Sequence, residues 1–267
     1  LNTVNYLVEF PVAIRGDFDP HFLELPKELL VMTMKHHQKY FPVIDDKGNL
    51  LPCFITISNI PAGAGQEIKN GNERVLRARL EDARFFYDED KKKNLDEFVE
   101  PLKGVVFQKK LGTLYEKMER ISGLAQVIAT HVCPDKITQA LRAGRLCKAD
   151  LVTLMVYEFP ELQGIMGGYY ALHSGEEPEV AQAIKEQYRP AFAGDDLPAS
   201  ELGAVIAVAD KLDTILGCIG VGLIPSGSED PYGLRRNAQG IIQIFLHRGW
   251  QISLDDLVKE GLSIMGS

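Results

Sequence analysis

The chain has 267 residues, 45% of them hydrophobic, and carries 29 Lys+Arg against 37 Asp+Glu for a formal net charge of -8. That length suits one large or two ordinary domains with a core that needs no disulfide or metal staple. The acidic balance excludes generic adhesion to nucleic acid, so any RNA contact has to come from a local patch or a larger assembly. No apolar run reaches the roughly 18 residues of a membrane span and no charged-then-apolar leader opens the chain. A soluble, cytoplasmic protein with no membrane or DNA partner is therefore expected. The chain begins at Leu1, which fits a piece excised from something longer.

In chain order, the apolar run 6–14 reads as a strand closed by a Gly-Asp turn. A helix follows over "LPKELLVMTMKHHQKY", with Pro26 at the favoured first position. "YFPVID" and "LLPCFITISNI" read as a hairpin around "DKGN", the second strand alternating with a period of two. The segment 61–72 reads as loop. From Asn72, a plausible N-cap by residue type, Val75, Leu76, Leu80, Ala83 and Phe86/Tyr87 fall on helical spacing. Pro101 and Gly104 interrupt a linking stretch. After it, helical patterns run over 113–132, 137–159, 178–188, 199–220 and 230–249, the last ending at Gly249 as C-cap. The expected architecture is α+β: a mixed α/β module at 1–97, then an all-α domain at 98–267.

Candidate chemistry is sparse. Cys53, Cys133, Cys147 and Cys218 show no CxxC spacing and read as reduced, mostly buried residues. The adjacent histidines of "KHHQKY" point about 100° apart on a helix and do not chelate one ion easily. His131, His173 and His247 have no partner at ligand spacing and read as surface or helix-end residues. Glu158 and Glu161 are three apart, but Pro160 between them can begin a new helix. Gly164, Gly167 and Gly168 suggest close helix packing. Asp210 and Asp213 lie on an apolar helix, where each needs a partner such as a metal or an arginine.

The window 69–120 holds a mild basic excess, 13 Lys+Arg against 11 Asp+Glu. Within it Arg74, Arg77 and Arg84 lie near one helix face, with Arg79 off it. The bland reading is a solvated face, favoured by charge alone; the functional one is contact with an RNA backbone. In "PSGSEDPYGLRRNAQG", Asp230 suits an N-cap and Pro231 the first helical position. Arg235 and Arg236 near a helix start are not explained by the helix dipole. One of them is expected to pair with Asp210 or Asp213, the other to be free for phosphate or a neighbouring domain.

Five blocks, "TMKHHQKYFPV", "NGNERVLRARLEDARFFYDEDKK", "KADLVTLMVYEFPELQGIMGGYYA", "VADKLDTI" and "IPSGSEDPYGLRRNAQGII", occur in one order. Together they closely resemble the beta subunit of bacterial glycyl-tRNA synthetase over essentially the whole chain. The resemblance implies part of an α2β2 heterotetramer that joins glycine to tRNA(Gly), with ATP and Mg²⁺ used in the alpha subunit and tRNA handled chiefly by beta. It implies a central fragment without the C-terminal anticodon-binding domain, inactive alone. The N-terminal module is similar to part of an editing-type synthetase domain and the helical region to an HD domain. On that alignment Arg120, Cys147, Lys148 and Asp210 mark a vestigial HD site, so neither a bound metal nor a catalytic residue is expected. Arg74, Arg77, Arg84, Arg235 and Arg236 are the candidate tRNA contacts. The rivals are an active HD-type phosphohydrolase and a scaffold that only docks the alpha subunit.

Overall fold

The computed structural model describes residues 8–59, 65–227 and 229–266. By contacts the chain divides into two units, Leu1–Asp90 and Lys91–Ser267. The sequence places the boundary at 97/98.

The first unit holds a three-stranded antiparallel sheet in the order β1–β3–β2, with β1 Val12–Asp17, β2 Phe41–Ile44 and β3 Leu50–Ser58. β1 pairs with β3 in the register Val12↔Ser58 to Asp17↔Cys53. The hairpin between β2 and β3 is the one expected: Asp45 Oδ1 accepts from the N–H groups of Lys47 and Asn49, and Gly48 takes φ 81°. The period of two along β3 is real, with Phe54 and Thr56 buried and Ile55 and Ile57 half-buried. The first strand departs from expectation. It begins at Val12 and runs through Gly16-Asp17 instead of ending before them; the start of the 6–14 prediction lies outside the described residues. Gly16 belongs in the strand because the Phe54 ring lies against it and leaves no space for a Cβ.

Helix α1, Lys27–Met32, buries Leu29 and Leu30 and continues into a π turn at Thr33–His37. Pro26 is its N-cap. Helix α2 spans Gly65–Asp90 and buries Leu76, Leu80 and Ala83, while Val75 faces out. Residues 65–72 are thus helix, not loop, and Asn72 is no cap: it sits inside the helix, where its Oδ1 accepts from Tyr40 Oη at 2.5 Å. Lys69 Nζ reaches Asp17 Oδ2 at 2.8 Å and Glu73 accepts from the Asp17 N–H. These ties to the sheet outweigh the poor local propensity of Asn70-Gly71-Asn72.

The second unit is mainly helical, with a short hairpin, β4 Val106–Gln108 and β5 Gly112–Thr113, in the stretch expected to be linker. Its helices are α3 Leu114–Val132, α4 Ile137–Leu146, α5 Leu154–Glu158, α6 Ile165–His173, α7 Pro178–Glu186, α8 Glu201–Gly220, α9 Leu234–Arg248 and α10 Leu254–Met265. α3 begins at a capping box between Thr113 and Glu116. The predicted 137–159 helix is broken by a 3₁₀ turn at Ala149–Val152. α10 lies in a stretch to which the sequence reading assigns no element.

α8 is the centre of this unit. Every residue from Leu202 to Asp213 is buried, and α3, α4, α7, α9 and α10 all pack on it. Two close approaches use missing Cβ atoms: Gly144 of α4 lies on Ser122 of α3, and Gly167 of α6 lies on Ile184 of α7. The glycines of the 164–168 stretch therefore serve helix packing, as expected. Glu186, itself buried, accepts from the backbone N–H groups of Ala199 and Ser200 and so anchors the start of α8.

Candidate functional site

Helix α8 carries Asp210, Asp213 and Thr214 on one face, the i, i+3, i+4 relation. Both carboxylates are buried in apolar surroundings, which is costly without compensation. The compensation comes from two other segments. From α3, Lys117 Nζ lies 2.8 Å from Asp213 Oδ2, 2.8 Å from Thr214 Oγ1 and 3.0 Å from Asp210 Oδ1. One turn on, Arg120 Nε donates to Asp213 Oδ1 at 2.6 Å, and its Nη1 reaches the Leu111 carbonyl at 3.3 Å. From the turn after α4, Lys148 Nζ donates to Asp210 Oδ2 at 2.9 Å and stands 4.1 Å from the centre of the Tyr188 ring.

The electrostatics follow from this arrangement. Burial by itself would raise the Asp210 carboxyl, but Lys117 and Lys148 outweigh it and hold the group well below the ordinary carboxylate range. The neighbouring Lys211 turns away and donates to the Tyr188 carbonyl at 3.2 Å; burial brings its ammonium down to about 8. Cys147 lies next to Lys148, but its thiol points to the Gly144 carbonyl and burial pushes it up to about 12, an inert thiol. All four cysteines are free and buried. Asp150 is a further buried acid. Its Oδ2 accepts from the Gly164 and Gly167 N–H groups at the start of α6; burial pushes it up to about 6, against the pull of those two donors.

Arg120, Lys148 and Asp210, named from the sequence, thus meet in one cluster. The expected arginine partner for the aspartates is corrected. Arg235 and Arg236 are both exposed, and Arg235 Nη1 donates to the Gly227 carbonyl at 2.6 Å. The place is filled by Lys117, Lys148 and Arg120. The start of α9 is corrected too. Asp230 lies four residues before Leu234 and accepts from the Leu234 and Arg235 N–H groups, while the left-handed Gly233 is the N-cap and Pro231 lies outside the helix. Lys117 and its pairing are what sequence reasoning missed. A signal existed: Lys117 falls on the stripe with Ile121, Leu124 and Ile128, where a cation needs a buried partner.

The remaining candidates stand apart. Arg74 and Arg77 are exposed on α2, whereas Arg84 is half-buried, 2.5 Å from Glu24 and 3.8 Å from Asp88. His131, His173 and His247 sit in the last turns of α3, α6 and α9. Pro160 opens a new 3₁₀ turn, Pro160–Leu162, between Glu158 and Glu161. Among the described residues no group of three or more His, Cys, Asp or Glu side chains is arranged to hold a metal ion. No helix among them is long and apolar enough to cross a membrane.

Residues 1–266 match the family model for the glycyl-tRNA synthetase beta subunit. The chain belongs to that family. Beta subunits of glycine–tRNA ligase from Geobacter sp. (strain M21) and Geobacter sulfurreducens are 56% and 55% identical to it across its full length. That of Syntrophotalea carbinolica is 51% identical over 99% of the chain. In the two Geobacter relatives the match covers 39% of the relative, so the chain spans about two fifths of their length. In this member of the glycyl-tRNA synthetase beta-subunit family, the Lys/Arg–Asp cluster ties α3 and the turn after α4 to α8. Its donor set does not suit a divalent metal, since Asp210 shares its pocket with two lysines and Arg120 fills the far side of Asp213.

Proposed function

We propose that this chain is a tRNA-binding, non-catalytic part of a heterotetrameric glycine–tRNA ligase, in which ATP and Mg²⁺ act at the alpha subunit. On this reading the first unit is an editing-type module with a weakened need for proofreading, because amino acids larger than glycine can be excluded sterically at the synthetic site. The second unit is an HD-like domain whose metal centre has been replaced, with Arg120, Cys147, Lys148 and Asp210 as its remnant. The working compartment is the cytoplasm.

The observation that carries the non-catalytic half is the state of the α8 aspartates. Asp210 is ion-paired with Lys117 and Lys148, and Asp213 with Lys117 and Arg120, so cationic side chains already stand where a metal ion would have to bind. The same observation disfavours the phosphohydrolase reading. Contact with tRNA is assigned to the exposed cations Arg74 and Arg77, and to Arg235 and Arg236. Arg84 is a weaker candidate, since phosphate would compete there with Glu24.

The test is aminoacylation by the complete ligase carrying R77E or R235E/R236E in this part of the beta subunit. The expected result is a raised KM for tRNA with little change in kcat or in the KM for glycine. Unchanged KM for tRNA in both variants would leave only the docking scaffold. Hydrolysis of nucleotides by the pure chain with Mn²⁺ at enzymatic rates would instead favour the phosphohydrolase.

A further inference from the structure

Three oxygens of α8 converge on a single point. Asp210 Oδ1, Asp213 Oδ2 and Thr214 Oγ1 lie 3.0, 2.8 and 2.8 Å from Lys117 Nζ, which belongs to a different helix. Thr214 is held in place because its hydroxyl donates to the Asp210 carbonyl at 2.9 Å. The other two carboxylate oxygens face elsewhere, Asp210 Oδ2 to Lys148 and Asp213 Oδ1 to Arg120. The fourth side of the point is closed by the Phe107 ring, whose centre lies 4.6 Å from Nζ. Two hydrogen-bond acceptors, Asp213 Oδ2 and Thr214 Oγ1, a third oxygen in ion-pair contact and an aromatic face are the recognition chemistry of a primary ammonium.

We propose that Asp210, Asp213, Thr214 and Phe107 form a binding site for a primary alkylammonium, and that the site is permanently filled by the chain's own Lys117. The lysine is a tethered ligand. Its occupancy fastens α3 to α8 and keeps exogenous cations out of the aspartate pair. The inference is independent of any contact with tRNA.

The test is chemical rescue. Lys117→Ala keeps Cβ and removes three carbons and the ammonium, which together amount to n-propylammonium. K117A is expected to melt well below wild type, and n-propylammonium at tenfold its Kd to raise that midpoint by about 3–6 °C. 1-Propanol, which lacks the charge, and tetramethylammonium, which lacks N–H donors, should not. K117M fills the stem but not the ammonium position, so it is expected to lose about 6–20 °C in midpoint and gain nothing from the amine. A K117M variant as stable as wild type, or equal rescue of K117A by propanol, would overturn the proposal. Should both single variants fail to fold, the amine is supplied during refolding: K117A is expected to recover a folded chain in n-propylammonium and not in 1-propanol. Failure of that recovery also overturns it.

Discussion

Lys148→Met removes one ammonium from the cluster and keeps most of its stem. Lys148 is 2% exposed, donates to Asp210 Oδ2 at 2.9 Å and lies over the Tyr188 ring. Breaking a buried ion pair by deleting one partner costs about 3–5 kcal/mol, because the other charge is left without its donor. Asp210 keeps Lys117 on its second oxygen, so the lower end, about 3 kcal/mol, is expected for K148M at pH 7. D210N/K148M removes both charges and should cost much less than the two single changes added together, with a coupling of about 2 kcal/mol. The assay is urea unfolding followed by the fluorescence of Trp250, the single tryptophan of the sequence, which lies in the second unit with its Nε1 bonded to Glu201. The pH dependence has a defined sign. The Asp210 carboxyl is depressed below its ordinary value of 3.8, so its contribution is present above that value and is lost as pH falls through the folded value. The K148M deficit should therefore be constant from neutral pH down to about 4 and shrink below. A K148M chain within about 0.5 kcal/mol of wild type, or strict additivity in the double variant, would refute the reasoning.

Other outcomes follow from the same structure. Asp150 is raised from 3.8 to about 6, so the folded state holds its proton more tightly and stability declines as pH rises through that interval, by on the order of 2–3 kcal/mol; D150N should flatten that part of the stability profile. G167A places a Cβ 2.8 Å from Ile184 Cγ2 and 3.0 Å from Asp150 Oδ2, so a loss of about 1–3 kcal/mol in a denaturant titration is expected. E186Q weakens the charge-assisted cap on α8, where the carboxylate accepts from two backbone N–H groups and the Ser200 hydroxyl, and should lower the thermal midpoint by a few degrees, roughly 1–2 kcal/mol.

Much of this fold is legible locally. The turn of β2 and β3, the capping box of Thr113 and Glu116, and the left-handed Gly249 at the end of α9 are each specified by residues within a few positions. The misses share a cause. The first turns of α2 look like loop because Asn70, Gly71 and Asn72 are poor helix formers, and only ties to Asp17 and Tyr40 make the helix there. α10 contains Gly261, which reads as a breaker, yet Leu216 packs so close to it that no Cβ fits. The sequence points to Arg235 and Arg236 as partners of the aspartates, because the helix dipole leaves them unexplained. The actual donors lie 62 and 96 positions away in sequence, a separation no spacing rule encodes. Asp210 was visible as a buried acid that needed a cation; which cation it took was a property of the fold.

The claim that most needs a direct test is that this acidic chain handles tRNA through local arginines. Binding of labelled tRNA(Gly) to the 267-residue chain, measured by fluorescence anisotropy across a salt series, addresses it. The account predicts binding that is weak at physiological salt and tightens steadily as salt falls. R74E and R77E should each flatten the log–log slope by about one. Absence of binding at the lowest salt, or binding indifferent to salt and to both substitutions, would contradict it.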